Sequence, residues 1–273
     1  MVGRSAVVSV DACSTERRTR AYLDRVATVT SAPVRQLVNT HHHGDHTFGN
    51  SFFTGATIIG HERCRSELLA AGLPADLGIW EPVDWGALEL APPTVTFSDR
   101  IRVWSDDSPI DVVYVGGPAH TTNDCVVWLP ESEVLFCGDL LFNGGTPFLL
   151  MGSLTGAISV LTTKVALIPA RVIVPGHGLP CDHELVETTL GYLRFVLDAA
   201  ARGRDAGLTP LETALETDLG DYAGWLDPER LVGNLHRAYA DLAGEGQPRD
   251  VDVPGALRDM VAFNGGRALS CYA

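Results

Sequence analysis

One lysine, Lys164, serves the whole 273-residue chain, and the arginines form no dense stripe that would stand in for the rest. With a formal charge of −14 and a pI near 4.9 the protein repels phosphate backbones and anionic lipid. That excludes nucleic-acid binding through clustered cations. Paired cysteines are lacking too: Cys13, Cys64, Cys125, Cys137, Cys181 and Cys271 form no CxxC and keep no short regular spacing. A disulfide framework and a cysteine-built zinc finger are therefore not expected. No apolar run approaches the ~20 residues of a membrane helix. The opening "MVGRSAVVSVDACS" offers only AVVSV, too short for a secretory signal. The expectation is a reduced, cytoplasmic protein with no membrane partner.

What the sequence does have is short β-branched runs, each closed by a turn. They are AVVSV (6–10), VRQLVN (34–39), ATIIG (56–60), TVTFS (94–98), IRVWS (101–105), DVVYVGG (111–117), CVVWL (125–129), EVLFCG (133–138) and RVIVPG (171–176). Helical periodicity fills some of the gaps, over 16–26, 62–71 and 155–167. Strands joined partly by hairpins and partly by helices predict an α/β fold with two sheets and helices outside them. From Asp182 onward the texture is helical, with caps expected at Asp182, Thr209 and Asp227. The expected division is a catalytic domain over 1–203 and a helical extension packed on it over 204–273. Residues 72–93 hold four prolines and two tryptophans without a period, a composition that suits a lid or pocket wall.

The densest chemistry is "HHHGDH", four histidines and an aspartate within six positions, 41–46. Imidazoles crowded in this way repel one another once protonated, so the segment calls for a cation. His41, His43, Asp45 and His46 read as HxHxDH on the loop that follows VRQLVN. His41 and His43, two apart on an extended turn, can face one ion while Asp45 and His46 face a second. Two such sites need further donors, and three other strand ends offer them: His120 after VVYVGGPA, Asp139 after EVLFCG and His177 after RVIVPG. His41, His43 and His120 would then hold one ion, Asp45, His46 and His177 the other, with Asp139 bridging. His42 reads as a spacer and His61 as a helix-start residue. His183 and His236 read as surface or packing residues, Cys137 as a small buried hydrophobe.

HxHxDH followed by a lone His, a "GD" and a "GHG" resembles the metallo-β-lactamase-fold hydrolases over roughly residues 6–180. The resemblance implies an αββα four-layer sandwich with a dinuclear site, usually zinc, at one edge. His43 stands where flavodiiron oxidoreductases of that fold carry Glu, which favours hydrolysis. Asp139 stands where the true β-lactamases carry Cys or Ser, which points to glyoxalase II-like thioesterases and lactonases instead. The runs FSDRIRVWS, HTTNDCVVWLPESEVLFCGDLLF and NLHRAYADL look like a poorly characterised bacterial branch known generically as hydrolases or cyclases. Most members of the fold have two or more strands ahead of the segment resembling AVVSVDACS, so the N-terminal strands are expected to be shortened. Asp11 stands at the family position of a buried aspartate near the site, and Thr40 and Asp124 are candidates to orient imidazole N–H groups.

The implied mechanism uses two Zn2+ about 3.5 to 4 Å apart, which bring a bridging water to a pKa of about 7. The resulting hydroxide attacks an acyl carbonyl, with Asp45 orienting it and Asp139 setting the metal separation. Trp80 and Trp85, with Phe142, Phe148 and Met151 after Asp139, suggest a largely apolar pocket without charge, although the aromatic residues of 142–151 read equally well as core. An uncharged or aromatic small molecule, an ester, thioester or lactone, fits such a pocket, with a β-lactam less favoured. A glutathione conjugate would call for basic residues in the C-terminal part. The runner-up is a mononuclear Fe2+ oxygenase of persulfide dioxygenase type that uses His43 or His41, His120 and Asp139. The helical end either caps the pocket or forms a homodimer.

Overall fold

Each of the nine β-branched runs forms a strand in the computed structural model, which describes residues 1–75, 78–244 and 250–270. Val7–Val10 (β1), Val34–Val38 (β2), Thr57–His61 (β3) and Val95–Phe97 (β4) make one sheet in that order, every pair parallel. Arg100–Ser105 (β5), Ser108–Tyr114 (β6), Cys125–Leu129 (β7), Val134–Phe142 (β8) and Val172–His177 (β9) make the second. It is antiparallel from β5 to β8 and parallel between β8 and β9. The connections decide the direction: turns and short loops link the antiparallel strands, whereas helices carry the chain back to start a parallel neighbour.

The connecting helices are Glu16–Val29 (α1), the single turn Gly44–Thr47 (α2), Glu62–Ala71 (α3) and Leu154–Thr163 (α4), and after β9 follow Glu184–Asp205 (α5), Pro210–Glu216 (α6), Arg230–Ala243 (α7) and Val253–Phe263 (α8). Thr15 and Ser153 cap α1 and α4, and Thr209 caps α6 in a capping box with Glu212. Asp182 and Asp227 are not the caps of α5 and α7; His183 and Glu229 stand there instead. Asp182 takes the Glu184 amide one residue early (2.9 Å), and Asp227, held at φ +57°, turns its carboxylate to Arg230.

Three buried clusters define four layers. Val8, Val38 and Ile59 of the first sheet meet Val103, Val112 and Val127 of the second between the sheets. Leu37, Phe53 and Ile58 pack outward under Tyr22 and Leu23 of α1. On the far face Leu135 and Ile173 share one core with Val160 and Leu161 of α4, Leu190 and Leu193 of α5, and Leu231 and Leu235 of α7. The helices after β9 are continuous with that core, and position 203 falls inside the last turn of α5. The architecture is the expected αββα sandwich. Among the described residues no helix is long and apolar enough to cross a membrane.

Candidate metal centre

The parallel strands deliver their C-terminal ends to one rim, where open α/β sheets place their ligands. β1 is followed at once by Asp11, which adopts the left-handed conformation (φ +55°) that Asp tolerates better than most residues. Its carboxylate accepts from Thr40 N (2.7 Å) and Thr40 Oγ1 (2.7 Å), fastening the start of the histidine loop after β2 to β1. Asn39 and Asn50 close the loop from below through paired amides (2.8 and 3.1 Å), and Thr47 Oγ1 donates to His43 O (2.8 Å).

The remaining candidates arrive from the second sheet, though not all from strand ends. β9 ends at His177 as expected, but β8 runs on to Phe142, so Asp139 lies inside a strand whose register breaks at Gly138. Gly138 holds φ +51°, and at Gly176 a Cβ would lie 1.9 Å from Asp139 Oδ1. Those two glycines let β8 and β9 close around the aspartate. β6 stops at Tyr114, and His120 sits beyond it on a loop shaped by Asp124. Asp124 accepts from Thr121 N (2.8 Å) and Thr121 Oγ1 (2.7 Å). With both oxygens engaged three residues back it builds the turn that carries His120 and, contrary to expectation, orients no imidazole itself.

All seven candidate ligands converge. One donor atom each from His41, His43, His120 and Asp139 lies within 4.8 Å of the others, and the same holds for Asp45, His46, Asp139 and His177. Asp139 belongs to both groups: Oδ2 stands 3.4 Å from His120 Nε2 and 3.3 Å from His177 Nε2, while Oδ1 is 3.0 Å from His46 Nε2. Asp45 Oδ2 lies 3.1 Å from His177 Nε2 and 3.3 Å from His46 Nε2. Three neighbours fix imidazole tautomers. His46 Nδ1–H donates to Asp11 Oδ2 (2.9 Å), His120 Nδ1–H to Phe148 O (2.6 Å), and His41 Nδ1–H to Thr40 Oγ1 (3.1 Å). In the neutral ligand form this leaves Nε2 of His41 and of His46 bare toward the centre, whereas His120 Nε2 lies 2.8 Å from His43 Nδ1.

The fit to a cation can be tested on atoms that protein contacts leave over. Among the described residues, Nε2 of His41 and of His43 is buried with no hydrogen-bond partner, while His46 Nε2 and Asp139 Oδ1 face each other across the centre at 3.0 Å. Each such orphan costs about 1–3 kcal/mol, and several facing one another are rare in a folded protein. Divalent cations satisfy them together, and an imidazole–carboxylate donor set suits zinc or iron. Protonation tells the same story. Burial drives His41 and His43 well below the usual histidine range, into the neutral form a ligand needs. At His46 and His177 burial is outweighed by the facing carboxylates, Asp139 foremost, which raise His177 to about 9 and His46 well above its usual value. Asp45 and Asp139 resist burial in turn, held well below the carboxylate range by His46 and His177. In the metal-free protein His46 and His177 are thus the cationic partners of Asp45 and Asp139.

The metallo-beta-lactamase superfamily profile matches residues 4–177, more than half of the chain. The chain belongs to the metallo-beta-lactamase superfamily. It is 26% identical over 234 residues to a hydroxyacylglutathione hydrolase of Nitrosococcus oceani, covering 80% of this chain and 78% of that enzyme. It is 30% identical over 162 residues to the same-named enzyme of Rhodospirillum rubrum, covering 58% of this chain and 52% of that one. Among solved structures a metallo-beta-lactamase from Pontibacter korlensis shares the fold at a TM-score of 0.58 and 24% identity, over 71% of this chain and 85% of that one.

This superfamily member opens its candidate centre into a cavity of about 500 Å³, lined on the metal side by His43, Asp45, His120, Asp139 and His177. Trp80, Trp85, Phe142, Phe148 and Met151 all line it. The expectation of an uncharged wall needs correction, because Arg18, Asp227 and Arg230 line it too. Arg230 lies over the rings of Phe142 (5.6 Å) and Phe148 (5.9 Å) and pairs with Asp227 (2.9 Å). Phe142 in turn stacks on His177, ring centroids 4.9 Å apart and 9° from parallel. Leu226, Val253 and Leu257 complete the wall, so helices after β9 cap the pocket. Backbone pairing fastens them: Thr146 N to Leu226 O (2.9 Å) and Leu269 N to Ile79 O (2.8 Å).

The histidines outside the centre have other partners. His42 accepts from Asn123 Nδ2 (3.0 Å) behind the loop, and His61 caps α3 and stacks on Tyr114 at 4.0 Å. His183 precedes α5, and His236 pairs with Asp259 (2.8 Å). Cys137 is fully buried, and burial pushes its thiol up, which fits a packing role.

Proposed function

We propose that this protein is a dinuclear zinc hydrolase that cleaves an acyl ester, thioester or lactone whose acyl part is apolar or aromatic. The observation that carries the reading is the pair of four-residue donor groups sharing Asp139 at the floor of an aromatic-walled pocket. When bound, a pair of divalent ions supplies a water nucleophile active at neutral pH and a Lewis acid for the carbonyl oxygen. His41, His43 and His120 would hold one ion, Asp45, His46 and His177 the other, and Asp139 both. Asp45 also faces the pocket and orients the attacking water. Trp80, Trp85, Phe142, Phe148 and Met151 exclude bulk water and bind the acyl group by burial. Arg230 adds a fixed N–H donor group on the same wall. The name hydroxyacylglutathione hydrolase, borne by the relatives, favours a thioester among the candidate bonds. The five described cysteines are all free thiols, in keeping with a cytoplasmic setting.

Elemental mass spectrometry of protein purified without chelator, followed by a panel of aryl esters, acyl thioesters and lactones, tests the reading. Support comes from about two zinc ions per chain with hydrolysis of an aromatic acyl substrate, both lost in Asp139→Ala. About one iron per chain, with oxygen consumed on a persulfide, would replace it by the mononuclear oxygenase.

A further inference from the structure

The run NLHRAYADL, which resembles the same family branch as the metal motifs, lies on α7, and none of its residues is a metal-ligand candidate. Its helix nevertheless carries a buried polar face. Asn234 is fully buried, Arg237 and Asp241 nearly so, and with Arg230 they follow one another at intervals of four, three and four along the helix. That spacing puts them on one side. What they bind is not scattered. Arg230 Nη1 donates to Thr146 O (3.1 Å), Asn234 Nδ2 to Pro147 O (2.7 Å), and Leu149 N donates to Asn234 Oδ1 (2.8 Å). Arg237 Nε donates to Leu150 O (3.1 Å), and Ser153 Oγ and Thr155 N donate to Asp241 Oδ2 (2.9 and 3.2 Å). Residue by residue, α7 fastens the irregular segment between β8 and α4.

Inside that segment Asn234 brackets a single residue, Phe148, by holding the carbonyl before it and the amide after it. Phe148 O is the atom that accepts from His120 Nδ1–H (2.6 Å) and so turns His120 Nε2 to the centre. A histidine ligand is oriented by the partner of its second ring nitrogen. Here that partner is a main-chain carbonyl on a segment with no ladder of its own, so its direction depends on whatever fixes the two adjacent peptide groups. Asn234 does so with one side chain, and Tyr192 Oη, accepting from Asn234 Nδ2 at 3.1 Å, holds the amide in place.

We propose that α7 is the positioning device for His120 and that Asn234 is its central positioning residue, acting through Phe148 O on one metal site and not on the other. The proposal rests on the reading of His120 as a metal ligand. It goes beyond that reading by making Asn234, in the helical C-terminal part, a determinant of metal affinity at the His41, His43 and His120 position alone.

The test is a stepwise cobalt titration of the metal-free full chain, in competition with a chromophoric chelator and read by visible absorption, for wild type and variants. Asn234→Ala is expected to weaken one of the two ions, with about 10- to 100-fold, the effect of losing a ligand's outer partner outright, as the ceiling. The spectrum of the weakened ion changes, and the other ion is bound as in wild type. Arg237→Met, which removes the bond to Leu150 O and spares Phe148's own neighbours, should show the same selectivity at smaller amplitude; it keeps the test open if the alanine variant folds poorly. Two substitutions on the same helix separate positioning from general stability. Leu235→Ala loosens the apolar face and His236→Ala breaks the pair with Asp259; neither residue bonds the 146–150 segment, and neither should weaken one ion selectively over the other. Equal weakening of both ions in Asn234→Ala, or of neither, overturns the proposal. Wild-type protein that binds no cobalt overturns the metal-site reading itself, and the proposal with it.

Discussion

Asp11→Asn is the most exacting single substitution for the candidate centre, because it changes charge and hydrogen count while keeping shape and backbone. Asn tolerates the left-handed conformation at least as well as Asp, so φ +55° is retained. The native carboxylate only accepts: from Thr40 N, from Thr40 Oγ1 and from His46 Nδ1–H. An amide has one accepting oxygen and one donating nitrogen. If the oxygen keeps Thr40 N, the nitrogen faces Thr40 Oγ1 and His46 Nδ1. The hydroxyl can rotate and accept, but His46 must then carry its proton on Nε2, 3.0 Å from Asp139 Oδ1, where the metal-binding lone pair belongs. Loss of such an outer partner lowers metal affinity about 10- to 100-fold, or about 1.4–2.8 kcal/mol. The metal-free fold should also lose about 1.5–3 kcal/mol, the worth of a hydrogen bond to a charged group, since Asp11's side chain is only 13% exposed. Calorimetric zinc titration of chelated protein and urea unfolding measure the two effects separately. If Asp11→Asn binds both ions with wild-type affinity, the tautomer argument is wrong.

Gly176→Ala would place a methyl group 1.9 Å from Asp139 Oδ1 and 2.9 Å from Asp139 N. The carboxylate shared by the two donor groups must move, so elemental analysis should find both candidate sites depleted of metal, and overpacking should lower stability by about 1–3 kcal/mol in a thermal melt. The metal-free protein should lose stability as the pH rises. His177 goes from 6.5 unfolded to about 9 folded, so its contribution is complete below pH 6.5 and is lost as pH climbs through 9. Its side chain is 30% exposed, so screening makes roughly 3 kcal/mol an upper bound. Urea midpoints of chelated protein that are level between pH 6 and 9.5 would contradict the arrangement. Zinc addition at pH 7 should release protons from His46 and His177, and pH-stat titration would register them.

The strands and the candidate ligands were legible because each depends on local pattern. β-branched runs closed by turns gave all nine strands, and HxHxDH is a spacing that few roles other than metal binding would require. Even there, local pattern mislocated what tertiary contacts decide. Asp139 was read at a strand end, but the parallel pairing with β9 carries β8 on to Phe142. Asp124 is a candidate to orient an imidazole, yet both its oxygens are taken by Thr121, three residues back. Arg230, at the start of α7, and Asp227, in the turn before it, reach the pocket from far along the chain, where no local pattern marks them as lining it. The pairing of Leu269 with Ile79 runs through main-chain atoms that leave no mark in side-chain chemistry. Asn234 does carry a mark in the sequence. It lies among buried Leu231, Leu235 and Ala238 on the core-facing side of an amphipathic helix, and a polar side chain placed there requires partners.

These contacts tie substrate pocket and metal centre together mechanically. Phe148 presents its ring to the cavity and its carbonyl to His120, while Phe142 lines the same cavity and stacks on His177. Arg230 touches both rings from α7. A change in the aromatic wall that admits a different acyl group therefore moves groups orienting one candidate ligand on each side of Asp139. The wall is continuous with the core under α7, whose packing leaves little room for such movement to be absorbed locally. Shape of the pocket and geometry of the centre are for that reason not independent variables here, and the helical C-terminal part is where they are set jointly.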